Sequence, residues 1–142
     1  MRDMTKEEIM EFIKEWTWGT LIGVEGDKPN AIEVSYGTDG KYIYCGSMPG
    51  GRMARDLQAN KNVAFKICDA DRSCKKWRAV IIEGKAERLT GYDEILYSVR
   101  AIARQRGFSE NTYDAIAEKV SQNKDSNSIR IPIKKVAGKT SG

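Results

Sequence analysis

The chain has 142 residues, 24 Lys and Arg against 20 Asp and Glu, a net charge of +4 and no histidine. With 40% hydrophobic and 31% charged residues it has the composition of one globular domain, long enough to bury roughly two thirds of its unfolded surface. The missing histidine excludes a Ser-His-Asp triad, a Cys-His dyad and any His-ligated metal site, so chemistry falls to other side chains or to a bound cofactor.

In chain order, Thr5-Lys6-Glu7-Glu8 reads as a capping box. Ile9, Phe12, Ile13 and Trp16 follow at helical spacing and make one apolar stripe. From Thr17 the pattern becomes that of short strands. Thr17 to Val24 is the first, and Glu25 to Pro29 the turn after it. Ile32, Val34 and Tyr36 alternate with Ala31, Glu33 and Ser35, giving a strand with two unlike faces. Asp39-Gly40 predicts a hairpin turn into a strand over Lys41 to Cys45. A short helix is expected from Arg52 to about Asn60.

Val63, Phe65 and Ile67 mark the next strand, and Trp77 to Leu89 a long one. Two amphipathic helices follow. The first carries Tyr92, Ile95, Leu96, Val99, Ile102 and Ala103 and stops at Gly107. The second carries Tyr113, Ile116, Ala117 and Val120. Gln122 to Ser128 reads as a polar connector. Ile129, Ile131 and Ile133 form a last strand, and Pro132 predicts an edge or a bulge there. The expected fold is mainly β within an α+β class: a six-stranded, closed or nearly closed antiparallel barrel with flanking helices, in one domain over 1–142 with a frayed tail at 139–142.

No apolar run approaches the ~18–20 residues of a membrane span, and the amino terminus shows no secretory h-region. Three cysteines (Cys45, Cys68 and Cys74) do not suit a disulfide framework, and the spacing of the last two does not suit zinc. The expectation is a cytoplasmic protein with reduced thiols and no metal. Basic residues mix with acidic ones, so nucleic acid is not the expected partner, although Arg72, Lys75, Lys76 and Arg78 lie near Trp77.

The segment Tyr44 to Leu57 holds the strongest chemical signal. A strand ends, a loop of small residues follows (Gly46-Ser47-Met48-Pro49-Gly50-Gly51), and a helix starts at Arg52. Glycines admit an anion close to backbone N–H groups, the helix start offers unpaired N–H groups, and Arg52 and Arg55 share one face. The segment reads either as a phosphate-sized anion site or as a plain strand-to-helix connection. It lacks the ending of a Walker loop.

The order of Pro29 to Val34, then Ile43 to Arg52, then Asn62, Val63 and Phe65, then Trp77 to Glu87 resembles the FMN-binding split-barrel superfamily. This is the pyridoxamine 5'-phosphate oxidase-like group, and the likeness is strongest to its short, nitroimidazole-resistance-related members. The resemblance covers about residues 5 to 138. It implies a homodimer with FMN in a groove between two barrels. It implies that Glu33, Val34 and Ser35 with Cys45, Gly46 and Ser47 meet the flavin edge, and that Ser47, Gly51 and Arg52 hold the phosphate. Arg78 is a further candidate contact. Relatives carry Arg-Lys where this chain has Arg52-Met53, and Arg55 is the residue placed to compensate. The carboxyl-terminal extension of the longer oxidases has no counterpart here, which argues against pyridoxamine phosphate itself as substrate.

The leading expectation is an FMN-dependent oxidoreductase acting on a small molecule or electron acceptor, with NADH or NADPH a candidate donor. The alternatives are a non-catalytic sensor or binding barrel for haem or deazaflavin, and a barrel that binds single-stranded nucleic acid.

Overall fold

The computed structural model describes residues 1–142. In chain order the elements are β1 (Arg2–Asp3), α1 (Lys6–Glu15), β2 (Trp18–Glu25), β3 (Lys28–Ser35), β4 (Gly37–Thr38), β5 (Tyr42–Ser47), α2 (Arg52–Ala59), β6 (Asn62–Ala70), β7 (Trp77–Lys85), β8 (Glu87–Leu89), α3 (Tyr92–Gln105), α4 (Asp114–Gln122), β9 (Asn127–Pro132) and β10 (Lys135–Thr140). All strand pairs are antiparallel. One sheet has the order β1-β10-β7-β6-β2-β3 and the other β4-β5-β9-β8.

Alternation decides which face each strand buries. Leu21 of β2, Val63, Phe65 and Ile67 of β6, and Val80 and Ile82 of β7 point inward. They meet Ile43 and Cys45 of β5, Ile129 and Ile131 of β9, and Phe12 and Ile13 of α1 in the main core between the sheets. The opposite face of the smaller sheet packs on α3 and α4 through Tyr44, Leu89, Ile95, Val99, Ala101 and Ala117. The smaller sheet is therefore covered on both faces, by the main core on one side and by α3 and α4 on the other.

Local signals set the helix ends. In α1 the Glu8 amide donates to Thr5 Oγ1 and the Thr5 amide donates to Glu8 Oε1, the expected capping box. Gly107 follows the last turn of α3 at φ +78°, a conformation that costs a side-chain-bearing residue roughly 1–2 kcal/mol.

The structure corrects the expected six-stranded barrel. There are ten strands in two sheets that do not close: β1 and β3 are free edges of the larger sheet, β4 and β8 of the smaller. The Asp39-Gly40 turn is present, but it joins β5 to the two-residue β4 rather than to β3, because the chain changes sheet at Tyr36. The long strand Trp77 to Leu89 breaks at the buried Ala86, whose N–H donates to the Lys61 carbonyl. Beyond it β8 joins the smaller sheet. Strand β9 is not an edge, since β5 and β8 flank it. Pro132 is nevertheless tolerated, because β8 reaches only as far as Arg130 and leaves Pro132 opposite Tyr42 alone. The tail is paired rather than frayed: Lys139 lies opposite Ala79 and Asp3, and the Ser141 N–H donates to the Trp77 carbonyl.

Candidate functional site

A cleft of about 310 Å³ opens where β3, β5 and β9 end or begin under α3 and α4. Its floor is Cys45, Gly46 and Ser47 of β5 beside Asn127 and Ser128 of β9. The register sets Gly46 opposite Ser128 and Ser47 opposite Asn127. The Asn127 amide donates to Ser47 Oγ at 2.7 Å, which fixes both side chains. A Cβ at Gly46 would stand 3.2 Å from the Asn127 carbonyl oxygen, so glycine keeps the floor flat. Ser35 closes one end. Val99, Ile102 and Arg106 of α3 face Tyr113, Ile116 and Val120 of the α4 side.

Cys45 is buried, and burial pushes its thiol up to about 12. It is a neutral packing group at ordinary pH, not a nucleophile. Arg106 ends α3 and donates from Nη1 to the Tyr113 hydroxyl at 2.8 Å. Its guanidinium carbon lies 5.2 Å from the Phe108 ring centroid and 5.9 Å from that of Tyr113.

The glycine loop borders this cleft through Pro49. The Gly51 N–H donates to the Met48 carbonyl, and the Gly50 N–H to that of Asp125, so the loop is held to the segment before β9. Gly51 is the N-cap of α2. It offers no side-chain acceptor to the first-turn amides, and that turn holds no acid. These amides have no capping side chain, and an anion suits them. Arg55 Nη1 donates to the Gly50 carbonyl at 2.9 Å, bracing the loop. Arg52 Nη2 lies 3.4 Å from the Pro29 carbonyl oxygen, and its Nε lies 3.7 Å from the buried Asp56 carboxylate. Asn30 donates to the same carboxylate at 3.2 Å. The side chain of Arg52 stays 55% exposed. Met53 is in the core, its sulfur against the face of Gly23, so the position held by lysine in relatives points inward here.

Of the residues singled out in the sequence, Ser35, Cys45, Gly46 and Ser47 line the cleft. Gly51, Arg52 and Arg55 do not line it; they lie at the loop–helix junction beyond Pro49, with Arg52 reaching to Pro29 at the far end of β3 from Ser35. Glu33 and Val34 do not line it: the Glu33 carboxylate accepts from the Thr20 hydroxyl, and Val34 packs on the core. Arg78 is elsewhere. It forms a two-toothed pair with Glu15, a contact with Asp69 at 3.3 Å, and lies 4.2 Å over the Phe12 ring. The hydrogen bonds it donates to Glu15, reinforced by charge, hold its pKa above the usual value. Sequence reasoning missed Asn127, Ser128, Arg106 and Tyr113. The polar run before the last strand was the available signal for the first two; nothing local marks the others.

These features define a split-sheet α+β protein with a ligand-sized cleft between its smaller sheet and a helical pair. The chain belongs to the pyridoxamine 5'-phosphate oxidase family, whose sequence profile matches residues 5–140. An uncharacterized protein of Rhizobium meliloti (strain 1021) is 26% identical over 89 residues, 63% of this chain and 58% of that relative. The match thus spans little more than half of the curated relative.

Among solved structures, a FAD-binding protein of Mesorhizobium loti is similar with a TM-score of 0.70 at 16% identity, over 98% of this chain and 96% of that one. A candidate 5-nitroimidazole antibiotic resistance protein of Bacteroides thetaiotaomicron gives 0.77 at 17% identity, over 98% and 86%. A FAD and haem binding protein of Mycobacterium smegmatis gives 0.66 at 12% identity, over 98% and 73%. At these identities the likeness is one of fold. No helix is long and apolar enough to cross a membrane.

Proposed function

We propose that the protein is a homodimeric, FMN-binding flavoprotein that acts as an oxidoreductase on a small molecule. The observation that carries this reading is that Ser35, Cys45, Gly46 and Ser47 share one cleft, which is also lined by Pro49 of the loop leading to the uncapped start of α2. The FAD-binding neighbours support a flavin. In this reading the flat Gly46 floor lets a ring edge approach backbone, while Ser47 and Asn127 orient it by hydrogen bonds. The first turn of α2 holds the phosphate with Gly51, and Arg52 swings from its long contact with the Pro29 carbonyl to join it. Bound FMN would supply the electron transfer, and the chain supplies position and exclusion of water. No protein acid or base is required, in keeping with a chain without histidine.

The second protomer belongs to the same proposal. The outer face of the larger sheet carries the cross-strand rows Ala137-Ile81-Lys66-Thr20 and Glu83-Ala64-Ile22-Ala31. Ile81 is 38% and Trp18 52% exposed. Small and aliphatic residues, with Lys66 and Glu83 among them, suit burial of this face against a copy of itself. A cytoplasmic setting fits three unpaired cysteines.

The test is the absorbance spectrum of the purified protein, before and after reconstitution with FMN. Flavin bands and quenched flavin fluorescence are expected, and their absence removes the proposal. A second reading, a haem- or deazaflavin-binding protein without turnover, draws on the FAD and haem binding neighbour. It has against it the lack of any histidine to serve as an axial ligand. Reduction by NADH or NADPH and reoxidation by a quinone or nitroaromatic separates enzyme from carrier.

A further inference from the structure

We propose that the α3–α4 side of the cleft is a substrate subsite for a flat, apolar monoanion, an aromatic carboxylate or its like, whose charge is held by Arg106. The redox fate of that molecule rests on the flavin reading; its binding does not. Arg106 is the one ionised side chain lining the cleft, and no acid lines it. Two other arginines of α3 are paired: Arg100 with Asp114 at 2.9 Å and Arg104 with Glu110 at 3.3 Å. Those pairs engage the nearby acids and leave Arg106 with a single hydrogen bond, to the Tyr113 hydroxyl. Its remaining N–H donors are available, and the Phe108 and Tyr113 rings hold the guanidinium plane by cation–π contact.

Apart from Ser98, whose hydroxyl donates to the Ile95 carbonyl, and the Tyr113 hydroxyl, the rest of the wall is apolar. Ile116 of this wall and Phe108 beside the mouth are each 47% exposed, large hydrophobic surface that the chain leaves uncovered. One cation among neutral hydroxyls and aliphatic groups matches one negative charge. A second charge would be desolvated without a partner. At about 310 Å³ the whole cleft sits at the low end for small-molecule sites, and its α3–α4 side, which shares that volume with the Gly46 floor, suits a compact guest of one or two rings.

The experiment measures calorimetric binding of 2-naphthoate and of its neutral amide to apo protein and to protein reconstituted with FMN. Wild type is expected to prefer the carboxylate by about tenfold or more, the worth of a hydrogen bond to a charged group. Arg106→Gln should abolish that preference, and Arg106→Lys should restore part of it. Equal affinity for the two probes, no binding of either, or a preference that survives in Arg106→Gln overturns the proposal. Urea midpoints show whether each variant is folded, and a salt titration of the wild-type preference gives a readout that needs no variant: it should shrink as ionic strength rises. Carboxylate selectivity in a protein that takes up no FMN would sink the flavin reading and leave this one standing.

Discussion

A methyl group added at Gly37 of β4 would lie 2.4 Å from the Ala101 carbonyl carbon, and 2.5 Å from both the Ala101 oxygen and the Ile102 nitrogen. All three are backbone atoms of α3, so no side chain can rotate aside. Ordinary carbon contacts need about 3.5–4.0 Å, and the helix must move outward by on the order of 1 Å to restore them. Overpacking of this kind costs about 1–3 kcal/mol, and a rigid helix on one side and a paired strand on the other put Gly37→Ala near the upper end, about 3 kcal/mol. For a chain of this size that lowers Tm by about 6–12 °C. Because α3 carries Val99, Ile102 and Arg106, the same shift should loosen any ligand held in the cleft. The assay is urea unfolding at 25 °C, with Gly40→Ala as the comparison. Gly40 has φ +87° and open space around it, so its substitution carries only the backbone cost of roughly 1–2 kcal/mol. A Gly37→Ala midpoint no lower than that of Gly40→Ala would show that α3 does not rest on β4 as described.

Arg52→Ala should weaken FMN binding by about 1.5–3 kcal/mol, read by quenching of flavin fluorescence; an unchanged Kd removes Arg52 from the phosphate site. Ile81→Asp should leave the protein monomeric in sedimentation velocity, and a dimer unaffected by it would move the interface elsewhere. With a disulfide reagent near pH 8, Cys68 and Cys74 should react in the native state and Cys45 only on unfolding, because burial holds its thiol up to about 12. The raised value favours the neutral thiol, so stability is full below the unfolded thiol pKa of about 8.5 and falls as pH rises from there towards 12. The hydrogen bond from Arg2, then that from the Thr5 amide, lowers Glu8 to about 2. That contribution is present above the ordinary value of 4.5 and is lost as pH falls towards 2, so Glu8→Gln should flatten the acid limb of stability in that window.

The helices and most long strands were readable because apolar spacing reports which face an element buries. It does not report which sheet a strand joins. Besides the crossing through α2, the chain changes sheet at Tyr36, at Ala86 and in the stretch after Pro132, and those three follow from packing at a distance. Strand β10 was hidden by composition. Its inward positions include Gly138, where a Cβ would lie 2.8 Å from the Met4 sulfur, and its outward ones include Lys135 and Lys139, so it reads as a loop. The β5–loop–α2 half of the site was legible since glycines, serines and arginines declare it within a dozen residues. The half built by Arg106, Tyr113 and Ile116 was not, because those side chains come to the cleft only through the way α3 and α4 fold over the smaller sheet.

The Gln105 amide, at the end of α3, donates to the carbonyls of Ile13, Lys14 and Trp16, and the Tyr36 hydroxyl donates to Ile13 as well. The free carbonyls at the end of α1 are thereby fastened to the wall of the cleft. Widening the cleft by swinging α3 would have to break that clasp, whereas α4 fully buries only Ala117 and is tied to α3 by the half-exposed Arg100–Asp114 pair. Entry and exit therefore fall to α4, and its amides should take up deuterium well before those of α3, with a bound guest slowing the exchange on α4 alone.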